Sequence, residues 1–454
     1  MKQLLISLSF AAVLPQHITA QTHAWDLREC CRYAVEHNIS IKQRENNREQ
    51  RAIQLSTARN SRLPDLSASA SESFSFGRGL TLDNTYTNRS TNSTSFSLGT
   101  TVPLFTGFQI PNQIKLSQLN LEAATKDLEK AKNDIRMQVA QAYVQILYNM
   151  EIADVARRQI EIDSQQVVRL QAFVNNGKAS QAQLSQQQST LAHAHLTAIQ
   201  AENTLQLSIL TLSQLLELPS PEGFTIVRPS LTTSSDHGQS VALLNRSPLT
   251  SHLLSPESIY QEALGIKPEV QAEQLRLSAT ERNIDIAKAA LYPKLNFSAG
   301  LQSNYYKTNG MKADPFATQL KNNFSQYIGL SLNIPIFTRF QTRNNIRSAK
   351  IDRENQLLQL ENVKKTLYKE IQQVYYNAIA ADSKYHSSET AAQSSKDAFT
   401  LMQAKYENGK ANMTEFNEAK NSYLKAESDL VQARYEYLYQ TALLDFYRGK
   451  EISF

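Results

Sequence analysis

The chain has 454 residues, 41% of them hydrophobic, which is long enough for two or three domains, and its 13 glycines are about half of what average usage gives. Scarce glycine favours long uninterrupted helices. The 47 basic and 42 acidic side chains leave a formal charge of +5, which gives no electrostatic footprint for nucleic acid. The sequence holds no nucleotide-binding glycine loop, no HExxH and no nucleophile elbow. An enzyme is therefore not expected, and neither is a cofactor or metal.

The first 20 residues, MKQLLISLSFAAVLPQHITA, carry a lysine, an apolar run from Leu4 to Leu14 and a small-residue cleavage site at Ala20. They read as a secretory signal peptide, because a run of that length cannot cross a hydrocarbon core of about 30 Å. Cys30 and Cys31 are adjacent, too close to pair with each other, and read as small packing residues in a helix. No later stretch offers 18 consecutive apolar residues. If the exported chain spans a membrane, it must do so with strands closed into a barrel.

A helical stretch is expected over about 26–62, stopped by Pro64. Strict alternation follows in LSASASESFSF, with Leu66, Ala68, Ala70, Phe74 and Phe76 on one face and serines on the other. Period 2 means a strand with one apolar and one polar face. A second strand, SFSLGTTVPLF, places Phe96, Leu98, Thr100, Val102 and Leu104 on its apolar side. Such segments suit tilted membrane strands with a polar lumen side, whereas a soluble sheet with one wet face gives the same alternation. The segment between them, starting at Gly77, is polar and reads as an exposed loop.

From Asn112 to Asn176 the chain runs without Gly or Pro, with apolar residues at Leu128, Ala131, Ile135, Val139, Ala142, Ile146, Met150 and Ala153. Steps of three and four make a narrow, coiled-coil-like stripe. The turn Asn176-Gly177-Lys178-Ala179 then reverses the chain. Between helical flanks its glycine suits the left-handed conformation that ends a helix, and Ser180 with Gln183 fits a capping box. The product is an αα-hairpin.

The chain then repeats itself. VPLFTGFQ (Val102 to Gln109) matches IPIFTRFQ (Ile334 to Gln341), and Asn176-Gly177-Lys178-Ala179 matches Asn408-Gly409-Lys410-Ala411, both at an offset of 232. Upstream, RNSRLPDLSASA from Arg59 matches KAALYPKLNFSA from Lys288 at an offset of 229. The expected layout is signal 1–20, first repeat 21–218 with strands at about 65–105 and a tip at 175–180, and a linker or equatorial segment 219–257. A second repeat, 258–448, follows with strands at about 294–337 and a tip at 407–412, and 449–454 form a tail. Residues 258–290 are read as one helix stopped by Pro293, Tyr306 begins a second exposed loop, and Phe224 to Val227 could form a short strand. Four strands cannot close a barrel, since small barrels need about eight, so several identical chains must contribute. Eight strands would need a dimer and twelve a trimer.

This order resembles the TolC family of bacterial outer-membrane efflux and secretion ducts. The resemblance rests on WDLRECCRYAVEHNISI, the paired VPLFTGFQ and IPIFTRFQ elements and the two Asn-Gly-Lys-Ala hairpins, and covers nearly the whole mature chain. It implies a mainly α fold with a membrane β-barrel: a homotrimer whose twelve-stranded barrel sits in outer-membrane lipid and whose α-barrel extends into the periplasm. The implied partners are a periplasmic adaptor protein and an inner-membrane transporter. The implied function is a passive exit duct of a tripartite efflux or type I secretion system. The competing reading is a periplasmic coiled-coil scaffold or adaptor that never enters the membrane.

The resemblance also points to acidic side chains just past the second tip as a periplasmic gate, and Glu415 and Glu418 occupy that region. Three residues apart, they share a helix face. The bland reading of Glu415 is a capping-box carboxylate, and of Glu418 a solvated residue; the first-copy counterparts are Gln183 and Gln186. Asn176, Gly177 and Lys178, with Asn408, Gly409 and Lys410, are the candidate tip and adaptor contacts, against the default of exposed turn residues.

Overall fold

The structure, a computed structural model, describes residues 24–80, 84–228 and 254–452. The signal-peptide reading, most of the linker and the last two residues lie outside the described residues.

Helix α1 (Leu27–His37) begins at Asp26, whose carboxylate accepts from the Glu29 amide at 2.6 Å while Glu29 caps the Asp26 amide in return. The single helix read over 26–62 is in fact two, because Asn38 takes an extended conformation and α2 (Ile39–Asn60) restarts beyond it. The Asn38 side chain does both jobs at the break. Its oxygen caps the Ser40 amide at 2.9 Å, and its amide donates to the Leu215 carbonyl at 3.2 Å. The second copy breaks at the corresponding place, between helices α5 (Pro256–Ile266) and α6 (Pro268–Ala289), which corrects the single helix read over 258–290. Pro268 pushes Lys267 out of the helical region. Lys267 then lies buried over the rings of Phe446 and Tyr447, at 4.1 and 4.4 Å, and burial lowers its pKa from the usual lysine value.

Strands β2 (Ser67–Leu80), β3 (Tyr86–Phe105), β5 (Lys294–Thr308) and β6 (Ser325–Asn333) form one antiparallel sheet in the order β2-β3-β5-β6. Gly77-Arg78-Gly79, read as loop, belongs to β2, because the hairpin ladder continues without a bulge to Leu80 opposite Tyr86. The expected second loop likewise contains helix α7 (Phe316–Asn322). It docks on β5 through Gln319, which bonds both the amide and the carbonyl of Tyr306 at 3.0 and 3.1 Å.

The sheet separates its two faces as the alternation requires. On one side, rows such as Val102, Phe297 and Leu330, or Thr100, Ala299 and Ile328, run across neighbouring strands. On the other, Ser69 meets Ser97 and Ser71 meets Ser95, each pair of hydroxyls 2.7 Å apart. The Tyr327 ring lies flat on Gly300, where an added Cβ would come within 2.7 Å of it. Alternation is interrupted on the apolar side by Glu72, which accepts from the Thr94 hydroxyl.

Two left-handed residues turn each second strand into a long helix: Gly107 and Phe108 in one copy, Arg339 and Phe340 in the other. Helices α3 (Gln109–Asn175) and α8 (Gln341–Glu407) each have 67 residues, and return helices α4 (Gln181–Leu215) and α9 (Met413–Tyr447) each have 35. At 1.5 Å per residue the long helices reach about 100 Å.

The main core lies where α1 and α2 cross the middle of α3 and the end of α4. Leu27, Cys30, Ala34 and Ile41 pack there with Ile135, Val139, Tyr143, Ile146, Leu212 and Leu216. Each fully buried aliphatic side chain contributes about 1.5 to 3 kcal/mol. Strand β1 (Ala24–Trp25) pairs in parallel with β4 (Thr225–Ile226), so the start of the linker segment is packed, and the Tyr143 hydroxyl donates to Val227 at 2.8 Å. A second core gathers Ile259, Ala263 and Val270 against Leu367, Ile371, Val374, Leu444 and Tyr447.

Candidate functional site

Both hairpin tips are built alike. Gly177 and Gly409 have φ of 71° and 70°, and an added Cβ would meet nothing within 4 Å at either, so the glycine answers to backbone conformation and not to crowding. The Lys178 amide reaches back to the Phe173 carbonyl at 2.8 Å, and the Lys410 amide to that of Lys405 at 2.8 Å, closing each long helix with the same motif. Asn176 and Asn408 each turn the side-chain amide onto the carbonyl four residues earlier, at 2.7 Å. Lys178 and Lys410 project from exposed turns.

Both capping boxes form. The Gln183 amide donates to the Ser180 hydroxyl at 3.3 Å and its side chain accepts from the Ser180 amide at 3.0 Å; Glu415 and Asn412 make the same two bonds at 2.9 Å each. Glu415 thus has a structural partner, whereas Glu418 is exposed on the same face of α9.

Behind the turns the two hairpins differ. Phe416, 1% exposed, stacks on Tyr406 with centroids 4.9 Å apart and tilts against Phe399, which stacks on Tyr423 at 5.6 Å. Burial raises the pKa of Tyr406 from its ordinary value. The corresponding residues of the first hairpin are Leu184, Val174, Val167 and Leu191, all aliphatic.

An ionic ladder that the sequence reading missed joins the copies. On α9, Lys420, Glu427 and Arg434 recur every seven residues and meet Asp163, Arg158 and Glu151 on the antiparallel α3. Arg158 donates to Glu427 at 2.6 Å, and the Tyr435 hydroxyl adds a 2.7 Å bond to Glu151. Lys420 and Asp163 are fully buried, and Gln187 of α4 donates to the same Asp163 oxygen at 3.0 Å. The heptad spacing of the charges was visible in the sequence; their partners on another helix were not.

Among the described residues no group of three or more His, Cys, Asp or Glu is placed to hold a metal ion, and His193 and His195 are exposed on α4. Among them, too, no helix is long and apolar enough to cross a membrane. The sheet bears bare apolar side chains: Phe76 and Ile328 are each 80% exposed.

The sequence profile of outer membrane efflux proteins matches residues 32–217 and 259–450. The chain belongs to this family. The resemblance to TolC-like ducts is thereby borne out, the family is one of outer-membrane channel proteins and not of enzymes, and the chain is an outer-membrane protein. Among efflux-family relatives, the chain is 26% identical over half its length to the fusaric acid resistance protein FusA of Burkholderia cepacia. It is 24% identical over 69% of its length to the pyoverdine export outer membrane protein OpmQ of Pseudomonas aeruginosa. These matches span 39% and 61% of the relatives' own lengths. The fold is shared with solved channels. The outer membrane protein VceC of Vibrio cholerae aligns at a TM-score of 0.74 and 18% identity, over 94% of this chain and 97% of that one. The CmeC outer membrane channel of Campylobacter jejuni aligns at 0.74 and 18%, over 94% and 87%.

Proposed function

We propose that the chain is one stave of a passive outer-membrane exit duct, a homotrimer that receives cargo from an inner-membrane transporter through a periplasmic adaptor. One observation carries this reading. A four-stranded sheet with two unpaired edge strands, β2 and β6, and a bare apolar face is fused to two helical hairpins about 100 Å long. An open edge is intolerable in lipid, and four strands are too few to close. Three copies give twelve strands around a serine-lined lumen, and the helices continue the tube into the periplasm. Between efflux and protein secretion, the names of FusA and OpmQ favour small-molecule efflux.

At the tips, Gly177, Lys178, Gly409 and Lys410 with the flanking asparagines form the adaptor-facing surface, and Glu418 with Glu415 supplies a ring of carboxylates at the narrow end. Purified protein in planar bilayers should conduct weakly, and the double variant E415Q/E418Q should leak several-fold more. Equal conductance would remove the gate; release of the native protein by carbonate wash without detergent would remove the duct and leave a periplasmic scaffold.

A further inference from the structure

The two edge strands carry information about what covers them, because the duplication preserves strand register. Within the first copy Ser67 pairs with Gly99, Ala68 with Leu98 and Ala70 with Phe96. Shifted by 229 for the first strand and 232 for the second, these become Asn296 with Ser331, Phe297 with Leu330 and Ala299 with Ile328, and all three pairs occur between β5 and β6. The offsets read from sequence therefore transfer hydrogen-bond partners from one copy to the other.

The same transfer applies to the seam between copies. Inside the chain, β3 of the first copy pairs with β5 of the second, with Val102 opposite Phe297, Thr100 opposite Ala299 and Gly99 opposite Gly300. The repeat of that seam is β6 against a β2 that the same chain cannot supply. We propose that β6 pairs antiparallel with β2 of a second copy of this chain, in the register that sets Ile334 opposite Ala68, Leu332 opposite Ala70 and Ser331 opposite Ser71 of that copy. The proposal rests on the duct reading, which already supplies the second copy, and adds the strand pairing and its register.

Face matching supports it. In this register Ile328, Leu332 and Ile334 lie beside Phe74, Ala70 and Ala68 of the next copy, Ser331 and Asn333 lie beside Ser71 and Ser69, and the bulge between Pro103 and Phe105 of the internal seam transfers to set Phe337 opposite Leu66. Leu330 beside Glu72 and Gln326 beside Phe76 are the unlike pairs on that apolar side. A slip of one residue would invert every face. A slip of two would keep the faces, and only the duplication decides against it.

The end of β6 supplies a second observation. Val102 to Phe105 are strand in the first copy, where β5 lies alongside, but their counterparts Ile334 to Phe337 are not strand, and Ile336 is 94% exposed. A partner in the stated register would extend the strand over these residues. At one corner the two seams must differ. An added Cβ at Gly107 would meet the Ala289 carbonyl at 2.5 Å, and Arg339 stands in its place, so the joint between copies is wider there.

Cysteine pairs in a C30A/C31A background of the full chain, in native membranes and with mild oxidation, test the register, since strand partners lie within disulfide reach. S71C/S331C should give covalent oligomers up to trimer at several times the yield of the displaced pairs S69C/S331C and S73C/S331C. The internal pair S69C/S97C, whose hydroxyls are 2.7 Å apart, reports folding and oxidation. Dominance of a displaced pair, or equal yields from all three, overturns the register while leaving the duct intact. No covalent oligomer from any of the three, with the internal pair oxidised, overturns the second copy as partner and the duct reading with it.

Discussion

The two hairpins share a backbone and differ in almost everything behind it. Gly177 and Gly409 differ in φ by one degree, and the capping bonds repeat position for position, yet Phe416 stacks on Tyr406 where the first copy has Leu184 and Val174. Glutamines stand in the first copy where glutamates stand in the second. Turn chemistry is fixed by steric rules that admit few residues, so both copies keep it. The packing behind a turn needs only volume and polarity, so the copies are free to diverge there.

The largest test of that contrast is Lys420. It is fully buried with Asp163, while its first-copy counterpart Gln188 is exposed. K420M should destabilise the detergent-solubilised protein by about 3 to 5 kcal/mol, because it strands a buried carboxylate, and K420M/D163L should recover most of the loss. Q188M should stay within about 0.5 kcal/mol. Chemical denaturation followed by circular dichroism reads all three; a small effect of K420M would mean that the pair is hydrated.

The strand-to-helix corners come next. G107A should cost roughly 2 to 4 kcal/mol, combining a left-handed alanine with overlap onto Ala289. R339G should instead gain up to about 1 kcal/mol, since it relieves a left-handed arginine. Equal costs at both corners would show that the copies are not distinguished by crowding there. At the tips, where nothing crowds the glycine, G177A and G409A should each cost about 1 kcal/mol, and by the same amount. A clear inequality between them would sink the claim that the turn alone sets the requirement.

The smallest effect concerns Cys30, which occupies the place of Ile259 in the second copy, each of them fully buried. Burial pushes the Cys30 thiol up to about 12 and that of Cys31 up to about 11. A raised thiol pKa leaves little thiolate near neutral pH, so maleimide labelling of the folded protein at pH 8 should be slow at both, and should rise about tenfold per pH unit. Rapid labelling at pH 8 would show that α1 detaches from α3.

Much of this architecture was legible because it rests on short-range rules. Period-2 alternation in LSASASESFSF and the Ser180–Gln183 spacing each announce a local geometry. The break at Asn38 was not legible, since no proline or glycine marks it; the side chain finds its second partner, Leu215, 177 residues away. Pro268 did announce the matching break, but two short helices and one long one share the same apolar pattern. Gly77-Arg78-Gly79 reads as loop by composition, and only its partners on β3 make it strand. The ladder of Lys420, Glu427 and Arg434 shows the same limit: spacing reveals a face, not what lies opposite. For the candidate site, the turns could be read residue by residue, whereas the aromatic stack behind Phe416 depends on the meeting of two helices.

The equal lengths of the paired helices, 67 and 67 residues going out and 35 and 35 returning, act as a ruler. Removing one residue from a single helix would rotate every later side chain by about 100° and lower that tip relative to its twin. A change of span must therefore come as matched seven-residue steps in all four helices, which keep the stripe in phase and the tips level. The distance this protein bridges is thus counted in whole heptads, and it can be altered only by editing four segments of the gene in concert.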